Sequence, residues 1–557
     1  MVVELDPFLS HREVSSYSVN AAGTQSDAIA GGRALQQSWK GDWRAAATRT
    51  NYGWSAEIAI PFAILNYEEG ATTFGVNFLR YQHRTAEWSR WADVTVRSLP
   101  EERGRLTGLA PSASAQTRPW TFLPYVLAGR NIPNKSGEIK STLATGGVDI
   151  RYQPRPNLTG VLSLNPDFSQ VETAVTDINF NYNQKFRADS RPFFQEGSAY
   201  FGKNPAYFYS NNVPNFDYGG KLFSRAAGYQ IGALAVRSSD SQTDLAFRLQ
   251  REIDATHSFG GMIVGTDQPG LRNFLYTAQV LGREPSGFNY SMDGALSRTD
   301  YQPGDGSYVQ GKVSFDKGFW SIGATANRYA LNYRPALGLL AGDLRGTRGI
   351  APSISYYRDI GTGPVRELTG YVVGNIRETG DGRLQRNYGS VGGTLELQQE
   401  IKLGLSWNGG QYRPVGNAPG VWSDTVNHDH YWTSSVNFNT RSSRLGYGAS
   451  YSSSFLGGSD YAYVSAYLGT RPMPTIFINA NAERLKQYGI SDQYIVSASW
   501  DITPRHGVYG RYIWNDGSYY WLAYTFRATE RIDFFAVYNN QPGADAQISV
   551  KILVTLP

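Results

Sequence analysis

Apolar and polar residues alternate along the chain from about Trp120 to the carboxyl terminus. In the last stretch, Ile548 and Val550 fall on one face of a strand. Ser549 and Lys551 fall on the other face, because successive side chains of a strand point to opposite sides. The pattern recurs in about 24 segments, most of them about 9–13 residues long, which is the length that a tilted strand needs to cross a bilayer.

The connections between these segments alternate in length. Counted back from the carboxyl terminus, every second connection is short, and the intervening set contains three long ones, at 166–218, 331–348 and 411–430. Outer-membrane barrels have short periplasmic turns and long extracellular loops, so their connections alternate in length. The connections of a soluble β-sandwich do not alternate in this way. The pattern therefore predicts an all-β fold, a large transmembrane antiparallel β-barrel of about 24 strands within a range of about 18–26.

The first 110 residues are less regular and more charged than the rest. Trp54, Ala56 and Ile58 alternate with polar residues over a short segment that Pro61 ends, as in a strand. We predict that residues 1–110 form a small β-sandwich on the periplasmic side of the membrane.

The sequence PSASAQTRP, which begins at Pro111, has the composition of a linker. We therefore predict a linker over 111–118 and the barrel over 119–557. The chain starts in strand-like sequence without an export signal, so we expect the natural precursor to extend upstream of Met1.

Composition agrees with an outer-membrane location in a Gram-negative bacterium. The chain has 37 Tyr, 13 Trp and 60 Gly; Tyr and Trp suit the two interfacial belts of a barrel, and Gly suits its bends. No Cys is present, which excludes disulfides and cysteine-ligated metals. The net charge of +5 is spread along the chain, which does not favour nucleic-acid binding. We predict no cofactor and no metal.

Two parts of the chain resemble known families. The segment Gly53-Trp-Ser-Ala-Glu-Ile-Ala-Ile-Pro-Phe, with Trp88-Ser-Arg-Trp after it, resembles the second half of a carbohydrate-binding module family 9 domain. Asn165-Pro-Asp-Phe-Ser-Gln-Val-Glu and Arg191-Pro-Phe-Phe-Gln-Glu-Gly are similar to the signature of an outer-membrane barrel family of unknown function that follows such a module. The resemblance implies this architecture, with residues 1–110 as a partial module, and an association with glycans. It implies no reaction.

The connection 166–218 is the candidate for function, because long connections are usually functional or disordered and this one is rich in aromatic residues. We predict that it enters the lumen as a plug. The alternative is an extracellular loop over the barrel mouth. The plug and lumen candidates are its charged residues and two phenylalanines: Asp167, Glu172, Arg187, Arg191, Phe193, Phe194 and Glu196. Arg191 and Glu196 are expected to form a structural ion pair.

Other candidate sites are weaker. His428 and His430 could both bind a transition metal, but without a third ligand we interpret them as residues of a solvated loop. The candidates for stacking on a sugar are tryptophans of the amino-terminal region, most of which are expected in its core: Trp43, Trp54, Trp88 and Trp91. No catalytic constellation is found, and a link to glycoside breakdown rests on the resemblance alone.

Three functions follow from these features. The first is transport, export or docking of a glycan, lipid or peptide by a plugged barrel. The second is a carbohydrate-binding protein anchored by the barrel. The third is a nutrient receptor energised from the inner membrane, which we rank lower because such receptors place a globular plug before the barrel. The expected partners are outer-membrane lipid, a glycan ligand and periplasmic or surface proteins, without nucleic acid.

Overall fold

The computed structural model describes twenty ranges of the chain, and every structural statement below concerns them: 1–9, 14–23, 25–28, 43–82, 87–92, 104–111, 119–133, 141–168, 176–180, 182, 185–202, 204–254, 256–300, 304–360, 363–442, 444–473, 475–503, 505–529, 531–540 and 545–556. Most of the predicted linker at 111–118 lies outside them.

The carboxyl-terminal part is a closed barrel of 24 antiparallel strands, in which each strand pairs with its neighbours in sequence and β32 pairs with β9. This confirms the predicted fold class and strand number. The strands are β9 Trp120–Ile132, β10 Thr142–Arg155, β11 Leu158–Leu164, β12 Tyr218–Ala226, β13 Tyr229–Arg237, β14 Thr243–Glu252, β15 Ser258–Gln268, β16 Leu271–Arg283, β17 Phe288–Asp300, β18 Gly306–Lys317, β19 Trp320–Tyr329, β20 Thr347–Asp359, β21 Val365–Thr379, β22 Leu384–Leu397, β23 Ile401–Tyr412, β24 Asn427–Phe438, β25 Leu445–Leu456, β26 Ser459–Met473, β27 Ile476–Lys486, β28 Ile490–Thr503, β29 His506–Trp514, β30 Ser518–Thr529, β31 Ile532–Asn540 and β32 Ala546–Val554.

The two faces of the barrel wall differ in chemistry. On β32 the inward Lys551 is only 6% exposed, whereas the outward Ile548 and Val550 are 49% and 48% exposed. On β12 the same alternation buries Lys221 and exposes Leu222. An outer surface of large apolar side chains around a closed ring of backbone hydrogen bonds is the surface that a bilayer requires. The described residues contain no helix that is long and apolar enough to span a membrane.

The two ends of the barrel differ in their connections. One end, here the short-turn end, carries turns such as 318–319 and 398–400 and also the start of β9 and the end of β32. The other, the long-loop end, carries the insertion between β11 and β12 and the connections 330–346 and 413–426. Its other connections have at most nine residues. The length asymmetry expected from the sequence thus rests on these three segments.

The amino-terminal region forms two small sheets. The first has the order β3-β2-β1-β6-β7, with β8 also paired to β6, and the second is the hairpin of β4 and β5. Tyr17, Trp43 and Phe74 lie in the core between them, each less than 5% exposed. The strands are β1 Val2–Asp6, β2 Ser15–Val19, β3 Gln25–Ala28, β4 Arg44–Thr50, β5 Gly53–Ala59, β6 Thr73–Gln82, β7 Glu87–Arg90 and β8 Gly104–Thr107.

This region contacts the short-turn end of the barrel on two sides. The backbone N–H of Ala227, in the turn between β12 and β13, donates to Glu68 Oε1 at 3.1 Å. Far around the ring, Tyr81 Oη donates to the carbonyl oxygen of Arg441, between β24 and β25, at 3.1 Å. The two sheets therefore extend across the short-turn opening.

Candidate functional site

The insertion leaves the barrel wall at Asn165, which has a left-handed backbone (φ 51°). Its amide side chain donates to Thr145 Oγ1 at 2.7 Å and to the carbonyl oxygen of Gly146 at 2.8 Å. Asn tolerates this conformation because its short polar side chain bonds locally. The carbonyl oxygen of Asn165 accepts a hydrogen bond from Tyr125 of β9. The first residue of the Asn-Pro-Asp-Phe motif thus redirects the chain out of β11.

The next residues of the motif fix the insertion to the barrel. Asp167 pairs with Lys551 of β32 at 3.4 Å, and both side chains are at most 10% exposed. The ring of Phe168 packs against Phe216, with centroids 5.7 Å apart. The start and the end of the insertion are therefore held together beside the seam at which β9 and β32 close the barrel.

The larger part of the insertion, residues 185–217, forms what we call the apolar lobe. Its side chains join one cluster with inward-facing residues of β12 to β19. The lobe contributes seven aromatic or aliphatic residues, all at most 7% exposed: Phe193, Phe194, Tyr200, Phe201, Tyr207, Val213 and Phe216. Burial of this apolar area is the main stabilising contribution at this wall.

Arg191, from the second motif, organises the lobe from within. Its guanidinium pairs with Asp189 at 2.8 Å and donates to the carbonyl oxygens of Val213 and Ser210 at 3.0 and 2.6 Å. It also lies 4.3 Å from the ring centroid of Phe194. The expected pair of Arg191 with Glu196 is therefore wrong: a nearer carboxylate, two residues away, satisfies the arginine, and Glu196 faces the barrel wall.

Glu196 and the short helix before it, α1 Pro192–Gln195, dock the lobe onto β10 and β12. Glu196 pairs with Arg151 of β10 at 3.1 Å. Lys221 of β12 is 5% exposed and donates to the carbonyl oxygen of Phe193 and, at 2.6 Å, to that of Glu196. Gly197 has φ 69°, and a Cβ there would lie 2.6 Å from the Phe223 ring. The Gly of the motif thus permits the close approach of backbone and wall.

A second part of the insertion, residues 176–180 and 182, is here called the polar arm. The backbone N–H of Ile178 donates to Glu483 of β27 at 2.8 Å. Tyr182 Oη donates to Asp429 of β24 at 2.5 Å. Burial, and then this carboxylate, raise the pKa of Tyr182. Tyr461 Oη of β26 donates to Asn179 Oδ1 at 2.7 Å. The arm is thus held mainly by hydrogen bonds to polar wall residues.

The lobe and the arm contact opposite walls. Arg248 of β14 donates to the carbonyl oxygen of Tyr200 in the lobe at 3.4 Å, whereas Tyr461 of β26 bonds the arm. Half of the 24-strand ring separates β14 from β26, so these strands face each other across the lumen. The described part of the insertion therefore extends through the interior of the barrel from one wall to the other.

The long connection 330–346 covers the lobe at the long-loop end. The backbone N–H of Tyr209 donates to the carbonyl oxygen of Leu337 at 2.7 Å, and Asn212 Nδ2 donates to that of Gly338 at 3.0 Å. Asp343 pairs with Arg386 of β22 at 3.0 Å. Two of the three long connections thus pack together.

The remaining sequence candidates have varied positions. Arg187 is exposed on the lobe, and Glu172 lies outside the described residues. His428 and His430 lie on β24 with exposed side chains, so the prediction of a loop there is wrong. Asp429 between them is 3% exposed and faces the lumen. The sequence pattern predicted a loop because the two imidazoles lie at outward positions of β24, where apolar residues would continue the alternation.

The tryptophans of the amino-terminal sandwich differ in exposure. Trp43 is 4% exposed and packs edge-on against Tyr17, at 5.3 Å between centroids, which leaves no face open to a sugar. Trp54 is partly exposed and Trp91 is 62% exposed. Trp88 lies on β7. Sugar stacking stays a prediction for the latter three.

Sequence reasoning missed the wall residues that hold the insertion. Lys221, Asp429, Glu483 and Lys551 all occupy inward positions of strands and are at least half-buried or hydrogen-bonded to the insertion. The alternation of apolar and polar residues already places these four charged residues on the inward face of their strands. Many lumen positions are polar, however, so alternation alone could not separate these four from the rest.

One protein family is similar to part of this chain. A family model described as a domain of unknown function, DUF5916, matches residues 117–219, from the start of the barrel to the end of the insertion. No curated protein matches the chain.

Several solved structures are similar to this chain over most of its length. The siderophore receptor PirA from Pseudomonas aeruginosa is 9% identical, covers 79% of this chain and 81% of its own, and has a TM-score of 0.45. The iron transporter FrpB from Neisseria meningitidis is 8% identical over 79% and 81%, with a TM-score of 0.39. The copper transporter OprC is 8% identical over 84% of both chains, with a TM-score of 0.40. At these identities the likeness concerns the fold alone.

Proposed function

We propose that this protein is a gated outer-membrane transport channel, in which the insertion at 166–218 is the plug. The observation that carries the proposal is the attachment of the lobe and the arm to opposite walls, at Arg248 and Tyr461. A ring of 24 strands is wide enough for an aqueous channel, and natural barrels of this width are commonly plugged. In this proposal the short-turn end and the amino-terminal sandwich are periplasmic, and the long-loop end faces outwards.

The arm is the moving part of the proposed gate. The arm forms hydrogen bonds with Asp429, Glu483 and Tyr461. When the arm moves away, water can replace these partners, so the net free-energy cost of losing each bond is low. The lobe would have to expose its apolar residues to water in order to move. Release of the arm also has to break the pair of Asp177 with Lys185 of the lobe, at 2.5 Å. It then opens a path along β24 to β28 and leaves the apolar residues of the lobe in place.

Conductance across planar bilayers tests the proposal. We expect the wild-type protein to be silent, a variant that lacks 176–182 to conduct weakly, and a variant in which two glycines replace 166–217 to conduct in large steps. The control variant replaces 416–421 by two glycines, which shortens another connection at the same end and should stay silent. A folded variant without 166–217 that conducts no better than the wild type would refute the plug.

A reversible variant sharpens the experiment. The chain has no Cys, so Asn179→Cys with Tyr461→Cys introduces one pair, and a reducible thiol-reactive cross-linker can join the two thiols across the space that the tyrosine side chain filled. We expect the cross-linked protein to be locked shut and to open after the linker is cleaved by reduction. Equal behaviour before and after reduction would exclude the arm as the gate.

The energised nutrient receptor is the second candidate, and the firm attachment of the plug favours it. Lys221, Arg191 and the Asp167–Lys551 pair are buried at the contacts of the plug, and breaking one partner of a buried pair costs about 3–5 kcal/mol. Work from the inner membrane would supply that energy. Uptake that a protonophore abolishes supports this candidate, and uptake that persists supports a passive gate. Glycan binding by the amino-terminal sandwich stays a prediction.

A further inference from the structure

The inner face of β21 to β28 carries no charge over the middle of the barrel wall. Its inward charged residues lie towards the two ends, such as Arg377, Asp429 and Glu483 at the long-loop end and Glu367 and Lys402 at the short-turn end. Between these two levels the inward residues of β21 to β28, all of them described, are Ser, Thr, Asn, Tyr, Gly, Val and Ile. We call this surface the neutral face.

The opposite wall differs in charge. Inward positions of β10 to β18 include charged residues within the strands, namely Asp149, Lys221, Arg248, Asp293 and Lys312. This is the wall that holds the lobe. The charges of the interior are therefore concentrated where the insertion is anchored, whereas the path below the arm is uncharged.

Hydroxyl groups of neighbouring strands form pairs across the neutral face. Three pairs have oxygen atoms 2.7 or 2.8 Å apart: Thr433 with Ser452, Ser450 with Ser465, and Thr369 with Thr394. A hydroxyl both donates and accepts a hydrogen bond, and it rotates to suit its partner. Such a surface exchanges partners with the hydroxyl of a solute as readily as with water.

The lumen beside the neutral face has open space. Tyr371, Val373 and Tyr467 face inwards and are 37%, 38% and 38% exposed. Leu275 and Ala295, inward residues beneath the lobe, are at most 4% exposed. A solute can therefore lie along the neutral face, where tyrosine rings line the space.

We propose that the path along the neutral face carries neutral, hydroxyl-rich solutes, the class to which saccharides belong. This inference rests on the proposed gate, since release of the arm opens the path. Rings of charged side chains make a pore select ions, and the described residues of β21 to β28 form no such ring at this depth.

The same groups suit a sugar. Hydroxyl and amide side chains replace the water around its hydroxyls, and the flat apolar face of a tyrosine ring packs against its C–H face. The inward residues from Tyr431 to Asn437 span about 20 Å of strand. A solute thus exchanges partners at several depths, and it is bound weakly enough at each to move on.

Binding of maltotriose to the full chain tests the inference without opening the gate. A titration followed by saturation-transfer NMR, in a detergent without sugar headgroups, should show binding to the wild type. Thr433→Val with Ser452→Ala removes both members of one hydroxyl pair and should weaken binding about tenfold, because two hydrogen-bonding groups are lost. The matched control, Thr325→Val with Ser314→Ala, removes the same groups from inward positions of β19 and β18 and should bind like the wild type.

Transport through the variant that lacks 176–182 tests the selectivity. In liposome swelling, maltotriose should enter faster than maltotrionate, which has the same size and carries one carboxylate. In planar bilayers with a KCl gradient, the reversal potential should lie near zero, because the path favours neither ion.

Equal binding by the two double variants would overturn the inference, as would faster entry of maltotrionate or a reversal potential that shows a strong preference for one ion. If the variant that lacks 176–182 is silent while the wild type binds maltotriose through the hydroxyl pair, the gate is refuted and the preference of the lumen for saccharides stands.

Discussion

The apolar lobe and the polar arm belong to one insertion but are held in different ways. The lobe buries seven apolar side chains against β12 to β19. The arm contributes only Ile178, Phe180 and Tyr182, partly buried, to a small cluster with Leu456, Tyr461 and Tyr463. Apolar side chains that become exposed to water lose the whole free energy of burial, because water forms no compensating interaction with them. A lost hydrogen bond is replaced by one to water, at a net cost of about 1 kcal/mol. The difference indicates which half of an insertion anchors it and which half can move.

The largest effect is expected from a cavity in the lobe. Phe216 is 4% exposed and contacts Phe168, Phe193 and Phe194, so Phe216→Ala should destabilise the lobe by about 3–5 kcal/mol. Hydrogen exchange should rise across 185–217 and conductance should appear. Phe186→Ala, in the same lobe but at a residue that is 60% exposed, is the control. Comparable exchange in both variants would contradict the role of apolar burial.

A smaller and more local effect is expected in the arm. Tyr182→Phe removes the hydroxyl that donates to Asp429 at 2.5 Å and leaves a buried carboxylate without that bond, at a cost of about 1.5–3 kcal/mol. A Cys introduced at Asn179 should be labelled faster, while exchange in the lobe stays unchanged. Tyr451→Phe, at an outward residue of β25 that is 48% exposed, should leave labelling unaltered. Loosening of the lobe by Tyr182→Phe would show that the two parts move together.

A still smaller effect is expected where the lobe meets the connection 330–346. Asn212→Ala removes one hydrogen bond, to Gly338, and should cost about 0.5–1.5 kcal/mol. Exchange should increase in 330–346 but not in the arm. The neighbouring Asn211 donates to the carbonyl oxygen of Arg187 within the lobe, so Asn211→Ala should spare that connection. An identical exchange pattern in both variants would remove this distinction.

No change is expected when the pH is raised moderately. Burial and the Asp429 carboxylate raise the pKa of Tyr182, so its contribution to docking is complete below the ordinary tyrosine pKa of about 10 and declines only at higher pH. A spin label attached at position 179 should give the same spectrum from about pH 7 to about pH 9.5. Mobilisation of the label within that window would mean that Tyr182 ionises early.

Much of the barrel was predictable because each strand has lipid on one face and the lumen on the other, which makes apolar and polar residues alternate along it. The predicted strands at 119–130 and 545–556 correspond to Trp120–Ile132 and Ala546–Val554. The prediction failed at 411–430, where the connection ends by Asn427, because His428 and His430 lie outward where apolar residues are expected. Charge partners were less predictable, since Arg191 and Glu196 are close in sequence but face different neighbours.

The contacts of the insertion with the seam have a consequence for biogenesis. Tyr125 of the first barrel strand bonds Asn165, and Lys551 of the last bonds Asp167. Asn165 and Asp167 are synthesised before every strand from β12 to β32, so the final and most distant strand pairing forms around a segment that is already present. Contacts between such distant parts of a chain are slow to form, and a template beside the seam lowers that barrier. We therefore expect proteins with a substitution at Asp167 to assemble slowly or not at all. This assembly defect would be detected before any defect in gating.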